Sequence, residues 1–271
     1  MKTKIKFMIL PLLLMGMFVL FTISCNKDED DTTTPIDNNN NDNNEDNGNN
    51  GDKICPETVT YEGYTYLIVQ IGDQCWLAEN LRYLPEITHE DDWGSNTEPQ
   101  YAVYGYTGNS ITEAKATDNY EIYGVLYNWE AASTACPPGW HLSSHDEWTE
   151  LERVVCANTS CESDFPKDEY ATGWRGTNEG SKLAGNESLW DSGDLTSDTE
   201  FGTSDFTALP GGQRSILGEF NFIGINGFWW SATEFTSEYA WYRRLNYDNS
   251  RVYRHYFPKM MGRSVRCVMD N

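Results

Sequence analysis

Between residues 53 and 271, strand-like runs of β-branched and aromatic residues crowd the two ends, and helical spacing is confined to the middle. Thr58-Val-Thr-Tyr61 and Tyr64-Thr-Tyr-Leu-Ile-Val-Gln-Ile71 flank Glu62-Gly63, which predicts a hairpin. Gly72-Asp73 turns the chain again, and Cys75 to Leu81 reads as a short apolar strand or bend. Residues 82–119 read as long loops, with Tyr101-Ala-Val-Tyr104 the strand-like piece. Val125, Leu126, Trp129 and Ala132 share a helical face, so a helix is expected over 123–132, stopped by Cys136-Pro-Pro-Gly139. Trp140-His-Leu142 is extended. Ser144 and Glu147 then form a capping box, which starts a helix burying Trp148, Leu151, Val154 and Val155. His145, inside the box, is expected to be an exposed first-turn residue. Residues 158–205 are loop-rich, with a short helix at 182–184. A strand over 206–209 and a turn at Pro210-Gly-Gly212 follow. Strands are then expected over 222–225, 227–233, 239–247, 251–257 and 263–269, with Asp248-Asn-Ser250 as a hairpin turn. The class is α+β, with the C-terminal third an antiparallel sheet.

The first residues have a different logic. Lys2, Lys4 and Lys6 precede an apolar run over 8–21, closed by Thr22-Ile-Ser-Cys25. Residues 1–24 are a signal peptide, and the run is short for a membrane span. Small residues before Cys25 resemble the lipobox of bacterial lipoproteins, which implies cleavage before Cys25 and acylation of its thiol. The alternative is an ordinary secretory signal. Lys27-Asp-Glu-Asp-Asp31 resembles the export signal of Bacteroidetes lipoproteins, which implies an outer-membrane anchor displayed at the cell surface. The alternative is the start of an acidic linker. Residues 25–52 join Cys25 to a run of Asp, Asn, Thr and Gly with nothing to bury. As a random coil they would reach roughly 30 Å.

Charge narrows the partners. The formal net charge is −23, and residues 1–52 carry nine acids against four lysines, which leaves −18 on residues 53–271. Nucleic acid is a poor partner for such a surface, because phosphate binding needs stripes of Lys and Arg. A cationic ligand, a metal ion or a neutral sugar fits better. Of the seven cysteines, Cys25 is set aside for lipid. The remaining six read as disulfides in an exported protein, and spacing alone leaves many connectivities open. The favoured set is Cys156 with Cys161 at a helix end, Cys55 with Cys75 across the hairpin, and Cys136 with Cys267. The last closes a loop that the chain-entropy argument values at roughly 4–5 kcal/mol. Zinc is the alternative, but no C-x-x-C pair exists and the histidines are scattered.

Six ordered stretches carry a resemblance. They are Gly72-Asp-Gln-Cys-Trp-Leu-Ala-Glu-Asn-Leu-Arg82, Tyr123-Gly-Val-Leu-Tyr-Asn-Trp129, Cys136-Pro-Pro-Gly-Trp-His-Leu142 with Glu147-Trp148, Ala208-Leu-Pro-Gly-Gly-Gln-Arg214, Trp229-Trp-Ser-Ala-Thr-Glu234 and Ser264-Val-Arg-Cys-Val268. In this order they resemble the Fibrobacter succinogenes major paralogous domain (FISUMP), and the match covers residues 57–270. Ser143-Ser144 departs from the family's more frequent Pro-Ser. The family is in turn distantly similar to C-type-lectin-like and formylglycine-enzyme-like folds. That similarity strengthens the Cys136–Cys267 pairing. It implies a C-type-lectin-like single domain acting as an extracellular binding or adhesion module for a glycan or protein, with carbohydrate the favoured ligand.

The lectin calcium motifs are missing, and Glu98-Pro99-Gln100 is a faint echo of one, so no metal site is carried over. Trp93, Trp174, Trp190 and Trp241 lie in or near loop-rich stretches, whereas the motif tryptophans are expected in the core. A ligand site is expected beside Trp230, Glu234 and Arg214, with Trp174 and Trp190 contributed by the neighbouring loop. The competing reading of Arg214 is an ion pair with Glu234 or Glu147. A cell-surface structural or assembly role is the alternative function. An enzyme is the weaker one, because the cysteines look paired and no catalytic triad or cofactor motif is present.

Overall fold

The computed structural model describes residues 55–167 and 170–271. The signal peptide over 1–24, Cys25 and the tether lie outside them. Among the described residues no helix is long and apolar enough to cross a membrane.

The chain opens with β1 (Thr58–Tyr61) and β2 (Tyr64–Ile71), paired antiparallel. Glu62 and Gly63 between them both take positive φ, 49° and 79°, the turn whose twist matches that of two paired strands. Then come β3 (Gln74–Leu77), β4 (Tyr101–Ala102), α1 (Ile111–Lys115), α2 (Asp118–Tyr123), β5 (Leu126–Tyr127) and α3 (Trp129–Thr134). The middle holds β6 (Trp140–Leu142), α4 (His145–Val155), α5 (Cys161–Asp164), β7 (Gly173–Arg175), α6 (Glu179–Leu183) and α7 (Asp194–Ser197). The C-terminal part is β8 (Gly211–Arg214), β9 (Phe220–Ile223), β10 (Asn226–Glu234), β11 (Tyr239–Asn246), β12 (Asn249–Pro258) and β13 (Cys267–Met269). The fold is α+β.

Two sheets dominate. The first runs β1-β2-β3-β13-β6, so the last strand enters between the N-terminal strands and the middle of the chain. The second runs β7-β12-β11-β10-β8-β9 and is antiparallel except where β8 meets β10. Each face of the second sheet belongs to a different core. Trp229, Leu245 and Val252 pack with Trp148, Leu151, Leu183 and Phe206 under α4 and α6. Phe228, Trp230 and Tyr242 pack with Leu81, Tyr127, Leu142 and Val265 on the other side. Disulfides join Cys55 to Cys75, Cys136 to Cys267 and Cys156 to Cys161.

The capping box at Ser144 is formed: the Ser144 hydroxyl accepts from Glu147 N, and the Glu147 carboxylate accepts from Ser144 N at 2.7 Å. Several elements depart from the sequence reading. The helix expected over 123–132 is instead the end of α2, then β5, then α3. Gly124 turns the chain at φ 73°, where a Cβ would meet the Leu81 carbonyl. Val125 N and Tyr127 N then donate to Leu81 O and Arg263 O, and Asn128 caps α3 through Ala131 N. Strand pairing has taken the amides a helix would need. Val154 is 45 % exposed, and His145, expected outside, is 3 % exposed. The buried face of α4 is polar at His145, Thr149 and Glu152 because buried arginines lie opposite it. No strand forms over 206–209, and Gly211 and Gly212 lie within β8. The β11–β12 turn is made by Tyr247 and Asp248, with Asn246 paired to Asn249.

Candidate functional site

The motif residues meet around Asn80, a residue that no periodicity singles out. Asn80 Oδ1 accepts from Trp229 Nε1 at 2.8 Å and Arg266 Nε at 3.0 Å. Its Nδ2 donates to Tyr123 O at 3.0 Å and to the Ser264 hydroxyl at 3.3 Å. Arg266 also donates to Leu77 O, Phe206 O and Thr207 O. Burial pushes its guanidinium down to about 9. Four of the six stretches are thereby tied together in the interior, where most buried polar groups find a partner.

The expected ligand site is not assembled. Trp230 is fully buried, and its Nε1 donates to Tyr127 O at 2.9 Å. Trp190 is buried and donates to Gly185 O. Arg214 is buried over the Trp93 ring and donates to Gly218 O and Thr88 O. It pairs with neither Glu234 nor Glu147, and burial pushes it down to about 10. Glu234 is half exposed and pairs with Lys259 Nζ at 2.7 Å, which sits over the Trp129 ring. Trp93 and Trp241 are also buried. Of the five expected site residues, Trp174 is the aromatic one left partly open.

Two charged centres belong to the architecture. On the helix side of the second sheet, Arg243 Nε pairs with Glu152 Oε1, and Arg254 Nη1 lies 3.8 Å from Glu152 Oε2. Arg243 also reaches His145 Nδ1 at 3.2 Å and the Thr149 hydroxyl at 3.3 Å. Burial, then Arg243 and Arg254, push His145 down to about 2, so it is neutral. His141 bridges Glu147 at 2.8 Å and Asp270 at 2.6 Å. These bonds, Glu147 first, raise it to about 9. Both its ring nitrogens are engaged by carboxylates. No group of three His, Cys, Asp or Glu among the described residues is placed to hold a metal ion.

The opposite face of the second sheet is open towards its β12–β7 edge. Strand alternation puts Trp174, Tyr253 and Arg244 in cross-strand register there. Arg244 lies 4.2 Å from the Tyr253 ring centroid and 5.1 Å from that of Trp174, and Arg251 lies 5.9 Å from Trp174. His255 stacks on Tyr253, and Phe257 is 42 % exposed. A polar cleft of about 460 Å³ lies beside α6, lined by Asn158, Asn178, Lys182, Asp198, Glu200 and Ser250. Asn178 Nδ2 donates to Glu200 at 2.8 Å, and Lys182 lies 3.5 Å from the same carboxylate. The Ser250 hydroxyl donates to Thr177 O at 3.0 Å, which fastens the cleft wall to the start of β12. The aromatic surface offers a stacking plane to the apolar face of a ligand.

Comparison with known proteins found no matching curated protein and no matching solved structure. The family model of the Fibrobacter succinogenes major domain matches residues 69–269, and the chain belongs to that family.

Proposed function

We propose that the domain is an extracellular carbohydrate-binding or adhesion module, held at the outer-membrane surface by lipid on Cys25. The observation that carries the reading is Trp174, partly open beside Tyr253 on the outer face of the second sheet. A sugar ring can lay its apolar face on an exposed indole. The distant lectin-like order of the motifs supports the same reading. The lipobox at Cys25 and the acidic run after it support anchoring and surface display.

A glycan array probed with the full chain tests the binding. The expected result is recognition that Trp174→Ala weakens about tenfold or more, the scale of one lost buried aromatic contact. Binding to no glycan, together with turnover of a chromogenic glycoside, overturns it in favour of an enzyme. Palmitate labelling that persists in Cys25→Ser overturns the anchor.

A further inference from the structure

The outer face of the second sheet carries cations in a domain that is otherwise strongly acidic. Among the described residues, no carboxylate lies within ion-pair distance of Arg244, Arg251 or Arg263. Arg263 is buried beneath the same face, 3.6 Å from the Tyr242 ring centroid, and its Nε and Nη1 have no hydrogen-bond partner. Burial pushes it down to about 10, and Arg244 is near enough to lower it further. The Nε of Arg244 is likewise buried without a partner. Arg251 Nε donates to Asn249 Oδ1 at 3.2 Å, and its guanidinium lies 5.9 Å from the Trp174 ring centroid. Three guanidinium groups thus rest on rings, with charge unspent.

Resting on the carbohydrate reading above, we infer that this face binds a sugar bearing a carboxylate, an acidic polysaccharide of uronate type. Arg244 is the pairing group, Arg251 its support and Trp174 the stacking surface. Arg244 lies against both rings, which fixes the plane of its fork. A planar carboxylate can meet that fork edge-on through two parallel hydrogen bonds. A sulfate can take two bonds from the same fork, so dextran sulfate is the competing anion in the test. Arg263 is too deep to touch the ligand and contributes positive potential from below. The domain's net charge of the opposite sense does not forbid this. At physiological salt, charges further away than about 8 Å are largely screened, and the local arginines set the field.

The test is binding of the full chain to polygalacturonate, dextran, dextran sulfate and poly-L-glutamate by calorimetry. Polygalacturonate is expected to bind at least about tenfold tighter than dextran, the scale of one good charge-assisted contact. Arg244→Gln should abolish that preference, and Arg251→Gln should reduce it less. Arg244→Lys keeps the charge but loses the fork, and should fall between. Unfolding midpoints within about 4 °C of the parent separate lost binding from lost fold. Equal binding of dextran and polygalacturonate, or a preference unchanged in Arg244→Gln, overturns the inference and leaves sugar binding standing. Tighter binding of dextran sulfate or poly-L-glutamate overturns the uronate assignment. Binding to none of the four overturns the inference, and the glycan array decides sugar binding separately.

Discussion

Arg243 and Arg244 are neighbours on β11, and they live in opposite surroundings. Arg243 points to the helix side, where Glu152, His145 and Thr149 satisfy it in a buried network shared with Arg254. Arg244 points the other way, onto Tyr253 and Trp174, with no carboxylate in reach. The two faces of one sheet therefore use the same side chain for different ends. Where an arginine is fully paired it holds the fold. Where it is stacked and left with free donors, it is available to something outside.

That contrast can be broken most forcefully at Glu152. Glu152→Ala leaves Arg243 and Arg254 buried without their carboxylate, and the expected loss is about 3–5 kcal/mol by denaturant unfolding. A loss below about 1 kcal/mol, the scale of a surface pair, would show that the network does not hold the helix side together. His145 supplies a pH signature of the same network. Its folded value of about 2 lies below the ordinary 6.5. The unfolded chain therefore takes up a proton that the fold refuses. The contribution is full above pH 6.5 and is lost as pH falls below it. His145→Gln should lose less stability than the parent between pH 7 and 5, measured by thermal melts.

His141, four positions earlier, gives the opposite sign. Its folded value of about 9 lies above 6.5. Its contribution is complete below pH 6.5 and disappears as pH rises through about 9. His141 is half exposed, so solvent screens the effect and it is smaller than that of His145. His141→Gln should flatten the alkaline limb between those values, and an unchanged limb would remove the bridge to Glu147 and Asp270 from the account. The smallest expected effect is Arg244→Gln, within about 1 kcal/mol of the parent in stability, since it breaks no ion pair. A loss several times larger would make Arg244 structural and erase the difference between the faces.

Local chemistry explains what the sequence made readable. Glu62-Gly63 and the Ser144–Glu147 box are decided within four residues, and both appear where the pattern places them. The 123–132 segment misleads because four apolar side chains do fall at helical spacing. Positive φ at Gly124 and the capping amide of Asn128 interrupt it, and partners at Leu81 and Arg263 claim its backbone. Asn80 and Glu152 are decided by contacts from distant parts of the chain, so nothing near them announces a role. The candidate site is harder still. Trp174 stood out as one of several loop tryptophans, but Arg243 and Arg244 are indistinguishable until strand alternation assigns each a face. Trp230, Trp190 and Arg214, placed in the expected site, are buried, as the core reading of the motif tryptophans requires for Trp230 and the structural reading for Arg214.

The covalent wiring has a consequence for tension. A pull arriving from the N-terminal side of Cys55 crosses directly to Cys75, so β1 and β2 carry none of it along the chain. The force then travels through residues 76–135 to Cys136. There the bond to Cys267 splits the path into two arms that enclose the whole second sheet. A load applied at Trp174 or Arg244 returns to that single junction by both arms at once. The segment able to spool out between the two junctions is residues 76–135. Drawn straight, that segment is a slack line of at most roughly 200 Å.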